Sequence, residues 1–174
     1  LYITIIEYVL ESQIKSFYLA IVLIFLLMLA WLRSLRLAVI SLIPNVFPVV
    51  VMMGVMGYLD IFLDLGTATV AAIVLGVAID DTVHFLHYWN EAENKRMSWE
   101  ECMKFTFQRA GEPATVTTIL LLVGFPVLML AGVKSVFYFG MLTAIAALAA
   151  IFADLVILPI ILKYLRPSWD RKAA

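Results

Sequence analysis

Two adjacent carboxylates and a histidine, within Asp80-Asp81-Thr82-Val83-His84, sit inside one of the most apolar stretches of this 174-residue chain. A charged side chain at the centre of a membrane helix costs about 2.5–3.5 kcal/mol on insertion scales, so it must be protonated, be paired, or face a polar cavity. A carboxylate in that position can load and release a proton, and neutralising it changes which helix packing is favoured. Asp80 is the first candidate for such a relay. Asp81 points about 100° away around the helix. His84 lies four residues beyond Asp80, on the same face, where the two side chains can share a proton. The plainer alternative is an aspartate that only hydrogen-bonds a hydroxyl on a neighbouring helix, and Thr117 and Thr118 are the candidates for that.

Other chemistries fit less well. Asp80, His84 and His87 could face one metal ion, but three ligands from a turn and a half are crowded and no second cluster is present, so no metal is expected. His87 reads as a boundary residue beside Tyr88 and Trp89. Asp80 and Asp154 could be imagined as an intramembrane protease dyad, but neither has the adjacent glycine-containing loop that would fit that use. Asp154 is instead expected to make a helix-packing contact or to act at a gate. Asp60 and Asp64 read as solvated loop charges. No glycine loop cradles phosphate, Cys102 is the only cysteine, and no cofactor or enzymatic activity is expected.

The elements that must position these residues are membrane helices. Hydrophobic residues make up 64% of the chain and charged ones 14%, with a mean hydropathy of +1.04. A soluble domain is nearer half apolar and a quarter charged. The net charge of −1 supplies no basic field for nucleic acid. The fold class is therefore all-α integral membrane, with spans at about 16–33, 37–58, 66–88, 114–131 and 136–165. Residues 1–15 read as a stem from an extracytoplasmic domain and 167–174 as a cytoplasmic tail. Between the third and fourth spans, Ser98 and Glu101 form a capping box, and Gly111 and Pro113 a stop. An amphipathic helix at about 98–110 is expected between them, lying on the cytoplasmic membrane surface.

Within the spans, Pro44 and Pro48 predict a bent or hinged second helix. Ala68, Ala72 and Gly76 recur at four-residue intervals on the third, a face that another helix can approach closely. Ten lysines and arginines fall on one side of the spans and two on the other. The richer side is cytoplasmic by the positive-inside rule, which puts the first residues outside and the last inside. The five spans are expected to be the last of a longer protein.

The ordered motifs carry a family resemblance. Gly76-Val-Ala-Ile-Asp80-Asp81-Thr82-Val-His84 resembles the glycine-x-x-x-aspartate signature of the resistance–nodulation–division superfamily. Before it, Arg33-Ser-Leu-Arg36 and Ile43-Pro44-Asn45 resemble the preceding spans. After it, Ala110-Gly111-Glu112-Pro113 through Thr117-Thr118, then Phe139-Gly140 and Leu158-Pro159, resemble the following ones. The likeness runs toward the lipid-exporter branch, the mycobacterial-type large membrane proteins and Patched-like or sterol-sensing relatives. It implies twelve spans in two parallel six-span repeats, of which this chain would be the C-terminal half, spans eight to twelve. It also implies a homo-oligomeric, proton-driven exporter of lipids or hydrophobic molecules in a bacterial-type inner membrane. The partners would be protons, membrane lipids, the lipid substrate and the N-terminal half of the same transporter. Asp80 would be a relay carboxylate, and Asp81 stands where relatives often carry an aromatic residue or another acid. A sterol-sensing-like regulatory module is the alternative.

Overall fold

A computed structural model describes residues 2–32 and 34–165. Among them there are helices and turns but no strands, and five helices are long and apolar enough to cross a membrane. In hydrocarbon each backbone polar group must be satisfied within its own segment, which helices achieve. The expected tail lies outside the described residues.

The first helix is Tyr2–Leu32. This helix runs without a break into the apolar stretch that begins at Lys15. The second helix, Leu35–Tyr58, starts at Ser34, whose hydroxyl accepts the Leu37 N–H. It holds Pro44 and Pro48 without interruption, and Asn45 lies buried between them. The Asn45 side-chain amide donates to the Ser41 carbonyl at 2.6 Å, beside the backbone bonds the prolines cannot make.

The third helix, Leu65–Asn94, runs past its expected end. Its start overturns one expectation. Asp64 is not a loose loop charge but the N-cap: its carboxylate accepts the Thr67 N–H at 2.8 Å, and the Thr67 hydroxyl accepts the Asp64 N–H at 2.8 Å. The Ser135 hydroxyl, at the head of the fifth helix, donates to the other carboxylate oxygen. Gly66 makes room for this, since a Cβ there would lie 2.9 Å from the Ser135 Oγ.

The fourth helix corrects a second expectation. Ser98 and Glu101 do form the capping box, but Gly111 and Pro113 end nothing. The rod runs through Trp99–Thr106, a π-turn at Phe107–Gly111, an α segment at Glu112–Gly124 and a 3₁₀ end at Phe125–Leu130. The stretch expected to be a separate surface helix is therefore the beginning of this rod. A proline in an α-helix clashes with the carbonyl four residues back. The π-turn takes up one extra residue just before Pro113, with the Glu112 N–H bonded to the Phe107 carbonyl, so the proline is accommodated.

The fifth helix repeats that device. It runs Lys134–Phe152, then a π-turn at Ala153–Ile157, then Leu158–Leu165, with Pro159 next after the Leu158 cap.

The third helix is central, packed on the second, the fifth and the start of the fourth. The first helix and the α segment of the fourth are peripheral, and turn Leu19, Leu23, Leu27, Val116, Leu120 and Val123 outward. Such broad apolar exposure is what lipid covers. Gly140 lets the fifth helix press against the 3₁₀ end of the fourth, where a Cβ would lie 2.5 Å from the Phe125 carbonyl oxygen.

The interior holds two apolar clusters. One joins Ile24, Met28, Phe85, Trp89, Cys102 and Leu158, and the other joins Met52, Met56, Val70, Val74, Leu142 and Ala146.

Desolvation pushes the Asp64 carboxyl up. The hydrogen bonds from Ser135, Thr67 and the Gly66 backbone outweigh it and hold the group below the ordinary aspartate value of 3.8. Asp64→Ala is expected to lower stability by about 1 kcal/mol, a usual N-cap loss, read as the thermal midpoint in detergent. A carboxyl titrating lower in the folded state stabilises fully above its unfolded pKa and loses that contribution as pH falls through the folded value. The midpoints of wild type and variant should therefore converge in acid; a constant gap at every pH would sink the assignment.

Candidate functional site

Successive side chains on a helix point about 100° apart, and the third helix uses that angle to separate its two acids. Leu75, Ala78, Thr82, Phe85, Leu86 and Trp89 form a continuous buried stripe. Asp81, at 9% exposure, lies on this inner side. Asp80 does not: its side chain is 76% exposed and that of His84 61%, with the His84 Nε2 3.7 Å from an Asp80 oxygen.

The small-residue face behaves the same way. Each four-residue step advances about 40° around a helix, so the row drifts from Ala68, which is buried, to Ala72 and Gly76, which are exposed. No helix among the described residues approaches Gly76, where a Cβ would meet nothing within 4 Å.

Facing the inner stripe is Asp154, in the π-turn of the fifth helix and only 1% exposed. The fully buried Thr82 hydroxyl donates to the Asp154 Oδ1 at 2.5 Å, a bond between residues 72 apart in sequence. This is the aspartate–hydroxyl pairing considered above for Asp80, but made by Asp154 and Thr82. Thr117 donates instead to its own helix, at the Pro113 carbonyl 3.1 Å away, while Thr118 is buried.

These groups form a buried polar layer within the apolar interior. On the second helix Asn45 falls between Ile40 of the first cluster and Met52 of the second, and on the third Asp81 and Thr82 fall between Leu75 and Phe85, both of the first. On the fifth helix Asp154 falls between Ala146 and Leu158. Three buried acceptors, the Asn45 Oδ1, the Asp81 Oδ2 and the Asp154 Oδ2, have no hydrogen-bond partner among the described residues. A buried acceptor without a donor costs about 1–3 kcal/mol, more when charged. A carboxyl that takes up a proton becomes a donor. The arrangement can therefore hold protons on two carboxyl groups and can answer their arrival by re-pairing.

Pro44 and Pro48 lie on either side of Asn45, buried on the same helix. His87 is taken up by rings, 5.4 Å from Trp31 and 5.1 Å from Tyr88. Asp80 and Asp154 do not meet, one facing outward and the other inward. Thr82 is the residue that reasoning from sequence passed over. The spacing of Leu75, Ala78, Leu86 and Trp89 would have placed it, with Asp81, on the inner side.

Comparison with known proteins fits this architecture. The family model described as Patched SSD, a sterol-sensing domain, matches residues 4–164. The chain is 28% identical over 149 residues to membrane protein MJ1562 of Methanocaldococcus jannaschii, a match covering 86% of this chain. It spans 38% of that relative's length.

Thr82→Val removes the only donor to Asp154 among the described residues and is expected to destabilise the protein by about 1–3 kcal/mol. Thr82→Ser should retain most of the stability, and adding Asp154→Leu to Thr82→Val should recover much of what is lost. Thermal unfolding of wild type, Thr82→Val, Thr82→Ser, Asp154→Leu and the double variant in detergent checks this, and additive losses in the double variant would refute the pairing.

Proposed function

The chain belongs to the Patched SSD family, and from that premise we propose that it is the transmembrane portion of a proton-driven exporter of lipids or amphiphilic molecules. The observation that carries the reading is the Asp81, Thr82 and Asp154 layer, which joins the third and fifth helices through buried carboxyl groups. An ionised carboxylate there lacks full hydrogen bonding, and a protonated one offers a new donor to a neighbouring acceptor. Proton binding thus favours one helix packing and release another. A ligand shifts such an equilibrium only by its differential affinity for the two packings. Opposite sides of the membrane supply the two protonation states, and the cycle moves the helices.

The outward Asp80 and His84 extend this reading. An exposed acid at the middle of a membrane helix cannot rest against lipid without a large penalty. The face with Gly76, Asp80 and His84 is therefore where the other half of the transporter packs, and this chain is the C-terminal half, of the lipid-exporter branch. The excess of lysine and arginine at one end of the helices supports a cytoplasmic position for that end, and the family resemblance implies a bacterial-type inner membrane. The assembled transporter is a homo-oligomer.

A second reading, a sterol-sensing-like regulatory module, has its own support. A groove of about 410 Å³ lies among the first three helices, lined by Phe17, Tyr18, Met52, Met53, Met56 and Ala71. Its walls suit a hydrocarbon body, and methionine side chains adapt to irregular shapes.

Export and proton flux by the full-length protein in proteoliposomes discriminate between the two. Asp81→Asn and Asp154→Asn should each lower proton-coupled export by roughly 5–150-fold, the span of a coupling free energy of about 1–3 kcal/mol. Asp80→Asn should lower it too if the two halves meet there. Unchanged export and flux in both buried variants would end the transport reading. Lipid retention with no flux in the wild type would favour the sensor.

A further inference from the structure

The two π-turns lie against each other. A Cβ at Gly111, in the first, would stand 3.4 Å from the Leu155 Cδ2, in the second, and 3.1 Å from the Phe107 Cδ1. A groove of about 530 Å³ runs between them, lined by Phe107, Gln108, Gly111, Glu112 and Leu155 among others. One short stretch of the third helix touches both turns. Thr82 bonds Asp154 in the fifth helix, and Phe85 meets Phe107 of the fourth edge to face at 5.7 Å. Each turn closes on a bond across five residues, Glu112 N–H to the Phe107 carbonyl and Leu158 N–H to the Ala153 carbonyl. Each is followed by one cap residue, Glu112 or Leu158, and then a proline, Pro113 or Pro159.

A π-turn holds one residue more than the α-turn it replaces, and such turns recur at functional sites. In an α-helix Pro159 would collide with the Leu155 carbonyl, so the proline keeps the extra residue where it is. Were that residue to migrate along the helix, side chains between its old and new positions would turn by about 100°. Asp154 lies in this stretch and would leave Thr82. Leu155, seated against Gly111, resists that rotation from the other side.

We propose that the paired π-turns are the joint that sets Asp154 against Thr82, with Pro159 and Gly111 as its positioning residues. Neither touches the carboxyl group; both act through the register of the fifth helix. The inference rests on the reading of Asp154 as a proton-binding group, and its test separates the two ideas.

The probe is dicyclohexylcarbodiimide, which reacts with protonated carboxyl groups in apolar surroundings, applied to the full-length protein in membranes. Peptide mass spectrometry then reads Asp81 and Asp154 separately. Pro159→Ala frees the register, and Gly111→Val pushes on Leu155. Each is expected to raise Asp154 labelling on the order of fivefold, as loss of one hydrogen bond would, with Asp81 labelling unchanged. Asp154 labelling unchanged, or both carboxyls rising together as in general loosening, would overturn the joint. If one variant fails to fold, the other decides. Should Asp154→Asn export normally while Pro159→Ala still raises labelling, the carboxyl group's part in transport fails and the joint stands.

Discussion

A carboxyl group buried among apolar helices must find a donor, give up its charge, or keep its surroundings from closing. Among the described residues Asp154 finds one donor, the Thr82 hydroxyl, and keeps one oxygen without a partner. Much of the architecture follows from that bond. It requires the third and fifth helices to run side by side at the depth of Thr82. It also requires the fifth helix to turn Asp154 inward, and the π-turn at Ala153–Ile157 sets that direction. The apolar clusters around the layer then close it off.

The third helix reconciles two demands by being two-faced. Asp80 and Asp81 are neighbours in sequence, yet one is exposed and the other buried. The inner acid lies on the side that packs on the fifth helix, and the outer one, with His84, lies on the exposed side. A rotation or shift of this single rod would alter both surroundings at once, which links them mechanically without any chain of side chains between them.

Continuous apolar runs made the five spans legible in the sequence, and the Ser98–Glu101 box marked a helix start correctly, though one expected for a surface helix, because both signals are local. Punctuation was read less well. Gly111 and Pro113 look like a stop by soluble-protein rules, but a π-turn absorbs the proline, and its extra residue leaves no mark in composition. Asp64 looked like a surface charge because its second partner, Ser135, is 71 residues away. The row of Ala68, Ala72 and Gly76 drifts outward along the helix toward the exposed Asp80. The bulky stripe of Leu75, Phe85, Leu86 and Trp89 carried the inward direction all along. The Thr82–Asp154 bond itself depends on packing between distant segments, and no local pattern announces it.

The separation of 72 residues between Thr82 and Asp154 also bears on how the chain is made. A ribosome delivers the third helix to the bilayer before the fifth exists. During that interval the helix with Asp80, Asp81 and His84, the least apolar of the five, has no fifth-helix carboxyl to bind. It must be sheltered by the insertion machinery or by helices already in place. The second helix, made earlier and packed on it, is its first companion, and the hairpin with the fourth helix, pinned by Trp89 on Trp99 and Tyr88 on Phe105, comes next. Biogenesis is thereby ordered: the polar layer closes last, when the fifth helix docks.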